Sequence, residues 1–164
     1  MKNKSLFGLL VITLFCSIAN AQSLVSYTWD TYKIKFKIAD DMTVGDNNAN
    51  KFEATSSHIT LDIYPRKGEN LTYTSMRTAI INWATQERLN YNTYNTNGDE
   101  QPIYLKNLNG YWGYAIDGTR NSSDASMLLL VDPDFPDISF YIWIAYNDSY
   151  YNDALQILKS FSPM

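Results

Sequence analysis

Cysteine is almost missing from this chain: its 164 residues contain one, Cys16, and histidine also occurs once, as His58. A lone cysteine closes no intramolecular disulfide and builds no thiolate metal site. A lone histidine supplies no multi-histidine metal centre. No Gly-x-Ser-x-Gly elbow, phosphate-gripping glycine loop, dinucleotide fingerprint or zinc-hydrolase helix motif is present. Basic residues are the minority charge, 13 Lys and Arg against 17 Asp and Glu. That balance disfavours a nucleic-acid backbone or an anionic membrane as partner. Beyond the first residues there is no long apolar run. Ile138–Tyr146 is too short to span a bilayer as a helix, and no set of strands sized for a membrane barrel is evident.

The first residues carry an export pattern. Lys2 and Lys4 form a short positive region, Leu6 to Ile18 is almost wholly apolar, and Ala19-Asn20-Ala21 is a small-x-small cleavage site. Residues 1–21 are therefore expected to be a signal peptide, cleaved before Gln22. An uncleaved anchor is the alternative, but the run is short for a span. Lipid attachment at Cys16 is disfavoured by Phe15, where a bacterial lipobox wants a small residue. Removing residues 1–21 takes away the cysteine and two lysines. The remaining 143 residues, 22–164, carry 11 basic and 17 acidic side chains, a net charge near -6. They suit one domain, exported to the periplasm or secreted, held by its core rather than by disulfides. No stable membrane span is expected after cleavage.

Ile138–Tyr146 is the clearest strand. Ile138, Phe140, Ile142 and Ile144 share one face; Tyr141, Trp143 and Ala145 share the other. Apolar residues on both faces predict a central strand covered on each side. Upstream, Gln22 to Ser26 reads as a leader. Tyr32 to Ile38 alternates strictly, with Ile34, Phe36 and Ile38 inward and Lys33, Lys35 and Lys37 toward water. A polar connection through Asp40–Asn48 follows, then strands at Phe52–Thr55 and His58–Tyr64, the latter ended by Pro65. Thr72 or Thr74 caps a helix reaching Leu89 or Tyr91, with Met76, Ala79, Ile80, Trp83 and Ala84 as its apolar stripe. Asn90 to Glu100 is a polar loop. Ile103–Leu105, Tyr111–Gly118 and Ala125–Val131 read as strands, with Asn109-Gly110 a tight turn and Thr119–Asp124 another. Met127–Val131 is a continuous apolar run that implies burial on both faces. A last helix begins near an Asn152 cap and buries Ala154, Leu155, Ile157, Leu158 and Phe161. Short connections favour antiparallel pairing. The expected fold class is α+β: an antiparallel sheet of about six or seven strands with helices on its faces.

Polar clusters give few candidates. Asp132, Asp134 and Asp137 crowd one turn and are weak candidates for calcium, though a full calcium loop and its terminal glutamate are missing. Two prolines in the same turn account for it more simply. His58 lies two residues from Thr60 and four from Asp62, and no second signature supports catalysis. No catalytic residue and no cofactor is assigned. Aromatics are abundant, with 13 tyrosines and 4 tryptophans. Tyr91 and Tyr94 border the polar loop, and Tyr150-Tyr151 precede the last helix. These four form the candidate binding surface, since tyrosines stack on sugars and anchor protein contacts. Most of the remaining aromatics suit core packing.

The pattern as a whole resembles the Mog1/PsbP-like group of small α/β proteins. The matching stretches are Tyr32–Ile38 with Asp40-Asp41-Met42, Phe52, Ile59–Pro65, the central helix, Leu108–Gly113 and Ala154–Pro163. The resemblance covers about residues 27–164. It implies an antiparallel sheet with helices packed on its faces, and a non-catalytic binding or accessory role; it maps no active-site motif. A cystatin-like or NTF2-like fold is the structural alternative. The expected function is an exported interaction or accessory module of the cell envelope, with an envelope protein as partner. The alternative is a carbohydrate-binding protein or small glycan-active hydrolase. A protein partner predicts a continuous exposed apolar patch. A glycan predicts a groove edged by tyrosines and amides.

Overall fold

A computed structural model describes residues 22–164; the expected signal peptide lies outside the described residues. Seven strands form one antiparallel sheet. They are β3 (Thr43–Asn47), β4 (Phe52–Thr55), β5 (Ile59–Lys67), β6 (Ile103–Leu108), β7 (Tyr111–Arg120), β8 (Ser123–Val131) and β9 (Ile138–Tyr146). Their spatial order is β3-β4-β5-β9-β8-β7-β6. β9 is thus the fourth of seven and pairs along its whole length with β5 on one side. It pairs with β8 on the other. The central position read from its two apolar faces is what the sheet shows.

Each face of the sheet is covered differently. Helix α1 (Tyr73–Gln86) lies on β7 and β8. Met76, Ile80, Trp83 and Ala84 pack there with Tyr114, Met127, Leu129, Tyr141 and Trp143. The opposite face is covered by a second, three-stranded sheet and by helix α2 (Tyr151–Lys159). That sheet has the order β1 (Leu24–Trp29), β2 (Ile34–Ala39), β10 (Ser162–Pro163), all antiparallel. Ile34, Phe36 and Ile38 of β2 point into the core shared with Phe140, Ile142, Ile144, Ile157 and Phe161. Lys35 and Lys37 face water. The run Met127–Val131 is buried throughout, alternate side chains entering alternate cores.

Several boundaries differ from expectation, each for a local reason. Residues from Leu24 are not a leader: they form β1, paired with β2 from Leu24 to Trp29, and Trp29 is buried. The polar connection contains β3, an edge strand whose largely exposed side chains hide its periodicity. β5 runs through Pro65 to Lys67, because β4 pairs only with Thr60–Ile63 and the rest of β5 has a free edge on that side. A strand tolerates a missing donor there. The turn expected over Thr119–Asp124 shrinks to Asn121-Ser122, both at positive φ (51° and 67°), a geometry matched to the twist of a two-residue hairpin. The hairpin at Asn109-Gly110 is built the same way, at φ 52° and 106°.

Helix α1 is capped by Thr72, the first of the two expected threonines, whose hydroxyl accepts from the Ser75 amide at 3.3 Å while Ser75 Oγ accepts from the Thr72 amide at 2.9 Å. It ends at Gln86, because Arg88 takes a left-handed φ of 57°. Helix α2 begins at Tyr151 rather than after an Asn152 cap. A 3-10 turn, Asp148–Tyr150, leads into it, and no side chain caps it.

Ile157 is fully buried between α2 and the core of the second sheet. Ile157→Ala should cost about 2–5 kcal/mol, by lost transfer energy plus a cavity. Urea unfolding should show a lowered midpoint with an unchanged slope. Lys159→Ala, on the exposed side of the same helix, should change stability by less than about 0.5 kcal/mol.

Candidate functional site

The main cleft opens where β7 ends, β8 begins and β9 ends, and its volume is about 410 Å³. Asp117 and Thr119 of β7, Asp124 of β8 and Tyr146 of β9 contribute from the sheet. The segment 90–101 contributes Asn90, Tyr91, Asn92, Tyr94, Asn95 and Gln101. Asp148 of the 3-10 turn and Tyr151 of α2 also line it.

Two residues make this closure feasible. At Gly118 a Cβ would stand 2.4 Å from the Asn90 carbonyl oxygen. Without one, Asn90 and Thr119 exchange backbone hydrogen bonds of 2.9 and 2.8 Å, and the segment after α1 lies against β7. Gln101 is buried and uses its amide as a short piece of strand. Its Nε2 donates to the Asn92 and Asp117 carbonyls at 3.1 and 3.0 Å. Its Oε1 accepts from the Asp117 amide at 2.5 Å. Asn95 braces the tip, its Oδ1 accepting from the amides of Asn97 and Asp99 at 2.9 and 2.8 Å.

The charge in the cleft has one sign. Its lining includes the carboxyl groups of Asp117, Asp124 and Asp148 and no lysine or arginine. The neighbouring Asp148 carboxyl, then partial burial, raises the Asp124 carboxyl above its ordinary range. Ser126 Oγ donates to Asp117 Oδ1 at 2.6 Å and stands 3.3 Å from the Tyr146 hydroxyl. Burial pushes that phenol up to about 12, with the nearby Asp117 and Asp124 adding to the rise and Ser126 opposing it. The Tyr146 and Tyr151 rings meet at 5.9 Å. The cleft is equipped to hold a polar molecule.

Three of the four candidate tyrosines, Tyr91, Tyr94 and Tyr151, line this cleft. Tyr150 does not. Its ring lies flat on His58, centroids 4.3 Å apart and planes 9° apart, so both residues pack together. Among the described residues no group of three acidic, histidine or cysteine side chains is placed to hold a metal ion, the acidic turn included. Asp132 Oδ1 accepts instead from the Asp134 amide at 2.9 Å, a turn-forming role. Asp132 also borders a second cleft of about 340 Å³, with Tyr32, Tyr111, Phe135 and Met164 among its walls. Sequence reasoning missed Gln101, Asp117, Asp124, Tyr146 and Asp148. They come from four separate stretches of chain, and their only signal was residue type.

No family model matches the chain, and no curated protein matches it. Solved structures do. The chain is similar to the Ran-binding protein Mog1p of Saccharomyces cerevisiae, with a TM-score of 0.52 and 7% identity, over 86% of this chain and 95% of that one. It is also similar to a protein of Bacteroides thetaiotaomicron, with a TM-score of 0.50 and 7% identity, over 85% of this chain and 48% of that one. At such identity the likeness carries the fold alone, and the fold is Mog1/PsbP-like.

Gly118→Ala should force the Asn90 segment away from β7. Amide exchange at Asn90 and Thr119 should accelerate, and exchange along β9 should stay slow. Buried phenols set the alkaline limit. Tyr111 and Tyr141 are raised like Tyr146, burial being the main cause in each. A raised folded value means that the unfolded chain ionises first. Their contribution to stability is therefore level below about pH 10 and is lost above it, as the unfolded chain releases its protons. Urea unfolding at stepped pH should show that fall, and Tyr146→Phe should make it shallower.

Proposed function

We propose that this Mog1/PsbP-like domain is an exported, non-catalytic binding module of the cell envelope, and that its ligand is a glycan held in the tyrosine-and-amide cleft. The cleft itself carries this reading. A sugar offers hydroxyl groups to asparagine and aspartate side chains, and the apolar faces of its ring to tyrosines. Tyr94 and Tyr151 are both exposed and border the lining, while the amides lie along one wall. The Lys2–Ala21 pattern supports export.

A protein partner is the second reading, and one observation favours it. Tyr73 and Tyr104 are exposed neighbours with ring centroids 6.3 Å apart, and Tyr104 lies 5.1 Å from Tyr114. Tyr104 lies in β6, one of the two edge strands of the large sheet. The fold neighbour Mog1p is itself named for binding a protein.

Glycan-array screening of the purified protein should yield a saturable ligand. Tyr94→Ala and Tyr151→Ala should each weaken it about tenfold or more, roughly 1.4 kcal/mol, with thermal melting unchanged. Tyr104→Ala should leave it intact. An array without a ligand, or a ligand indifferent to Tyr94 and Tyr151, would remove the glycan reading.

A further inference from the structure

We propose that Asn97 is a site of spontaneous deamidation beside the main cleft, and that the fold protects Asn109, its sequence counterpart, from the same reaction. The chain has two Asn-Gly pairs, Asn97-Gly98 and Asn109-Gly110. In such a pair the glycine backbone nitrogen, having given up its proton, attacks Cγ of the asparagine. An N–Cγ bond forms, the Cγ–Nδ2 bond breaks, and Nδ2 leaves as ammonia. Water then opens the resulting succinimide at either carbonyl and leaves aspartate or isoaspartate. Glycine is the favourable successor because no side chain hinders its nitrogen.

The two pairs differ in what holds the asparagine side chain. Asn109 Nδ2, the atom that must leave, donates to the Lys159 and Phe161 carbonyls at 2.8 and 2.9 Å. Freeing it means parting the β6–β7 hairpin from the end of the chain, where a Cβ on Gly110 would stand 3.3 Å from Pro163 Cγ. Asn97 is exposed, and among the described residues its side chain has no hydrogen-bond partner. The glycine amides do not account for the contrast. Gly98 donates to the Asn95 carbonyl at 3.0 Å, and Gly110 donates to Asn107 Oδ1 at 2.7 Å. Both attacking nitrogens must first let go of a partner, but only at Asn109 is the side chain fastened as well.

The reaction at Asn97 has a structural consequence. Isoaspartate routes the main chain through Cβ and so lengthens it inside a turn closed by one residue. Asn95 accepts there from the amides of Asn97 and Asp99 through Oδ1 and from Gly98 through its carbonyl. A longer backbone cannot keep all three bonds. Either product also adds a negative charge next to Asp99 and Glu100. Tyr94, Asn95 and Thr96 of the same turn line the cleft, so ageing at Asn97 loosens one of its walls. None of this depends on which ligand the cleft holds.

Trypsin cleaves after Arg88, Lys106 and Arg120, which places Asn97 in residues 89–106 and Asn109 in residues 107–120. Purified folded protein aged in mildly alkaline buffer should therefore be mapped by mass spectrometry, beside a sample aged in denaturing urea. In the folded sample Asn97 should convert about tenfold or more faster than Asn109, because two hydrogen bonds must open to release the latter. In urea the two rates should converge. Asn97→Ser should remove the conversion from residues 89–106 with melting unchanged. Aged protein, separated by its added charge, should show faster amide exchange over residues 94–101 and unchanged exchange along β9. Equal rates in the folded sample, faster conversion at Asn109, or an Asn97 as inert as Asn109 would each overturn the proposal. Conversion at Asn90, Asn92 or Asn95 in place of Asn97 would overturn it too. Unaltered exchange over residues 94–101 would overturn the loosening of the wall.

Discussion

Everything in this molecule depends on β9 being covered on both sides. The chain outside the expected signal peptide has no cysteine, so packing alone must offset the entropy of ordering it. β9 is where the two cores meet. Phe140, Ile142 and Ile144 enter one core, while Tyr141 and Trp143 enter the other. Trp83 of α1 meets Tyr141 edge-on at 5.2 Å. On the opposite face Phe140 takes edge contacts from Tyr32 and Tyr111. A single layer of covering elements would leave one of these faces wet. The three-stranded sheet with α2 is therefore as necessary as α1.

Polar groups around Tyr141 and Asp62 are paired. Glu69 accepts from the Tyr141 hydroxyl at 3.1 Å and from Ser139 Oγ. Arg66 stacks on the Tyr141 ring, 3.9 Å from its centroid, and reaches the same glutamate. Burial pushes the Asp62 carboxyl up, and Lys51 beside it pulls it back. A buried charge without such a partner would cost several kcal/mol.

The cleft exists because the large sheet ends unevenly. β7 and β8 run on to their hairpin at Asn121-Ser122, while β9 gives way to the 3-10 turn at Asp148. The segment after α1 crosses this end and is fastened by Gly118 and Gln101. One position supplies room by lacking a side chain, and the other supplies a side-chain amide where strand pairing has stopped. Binding residues thereby sit on loops held by a rigid sheet, the usual division of labour between scaffold and site.

The sequence by itself determined the fold class, the two faces of β9, the lysine-covered side of β2, a threonine cap for α1 and the hairpin at Asn109-Gly110. Each of these is written in side chains within a few residues of one another, as a period of two, a cap hydroxyl or a residue that tolerates positive φ. It also marked Tyr91, Tyr94 and Tyr151, by their place beside polar connections. Only the tertiary structure decided that Leu24–Trp29 is a strand, that β1, β2 and β10 form their own sheet, and that Tyr150 turns away to His58. Only it joined Gln101, Asp117, Asp124, Tyr146 and Asp148 around one cleft. The physical reason is common to all of these. Strand pairing is made by backbone groups that every residue carries, so a periodic pattern says which side chains are buried but not which strand lies alongside, and a cleft is made by the elements that happen to meet.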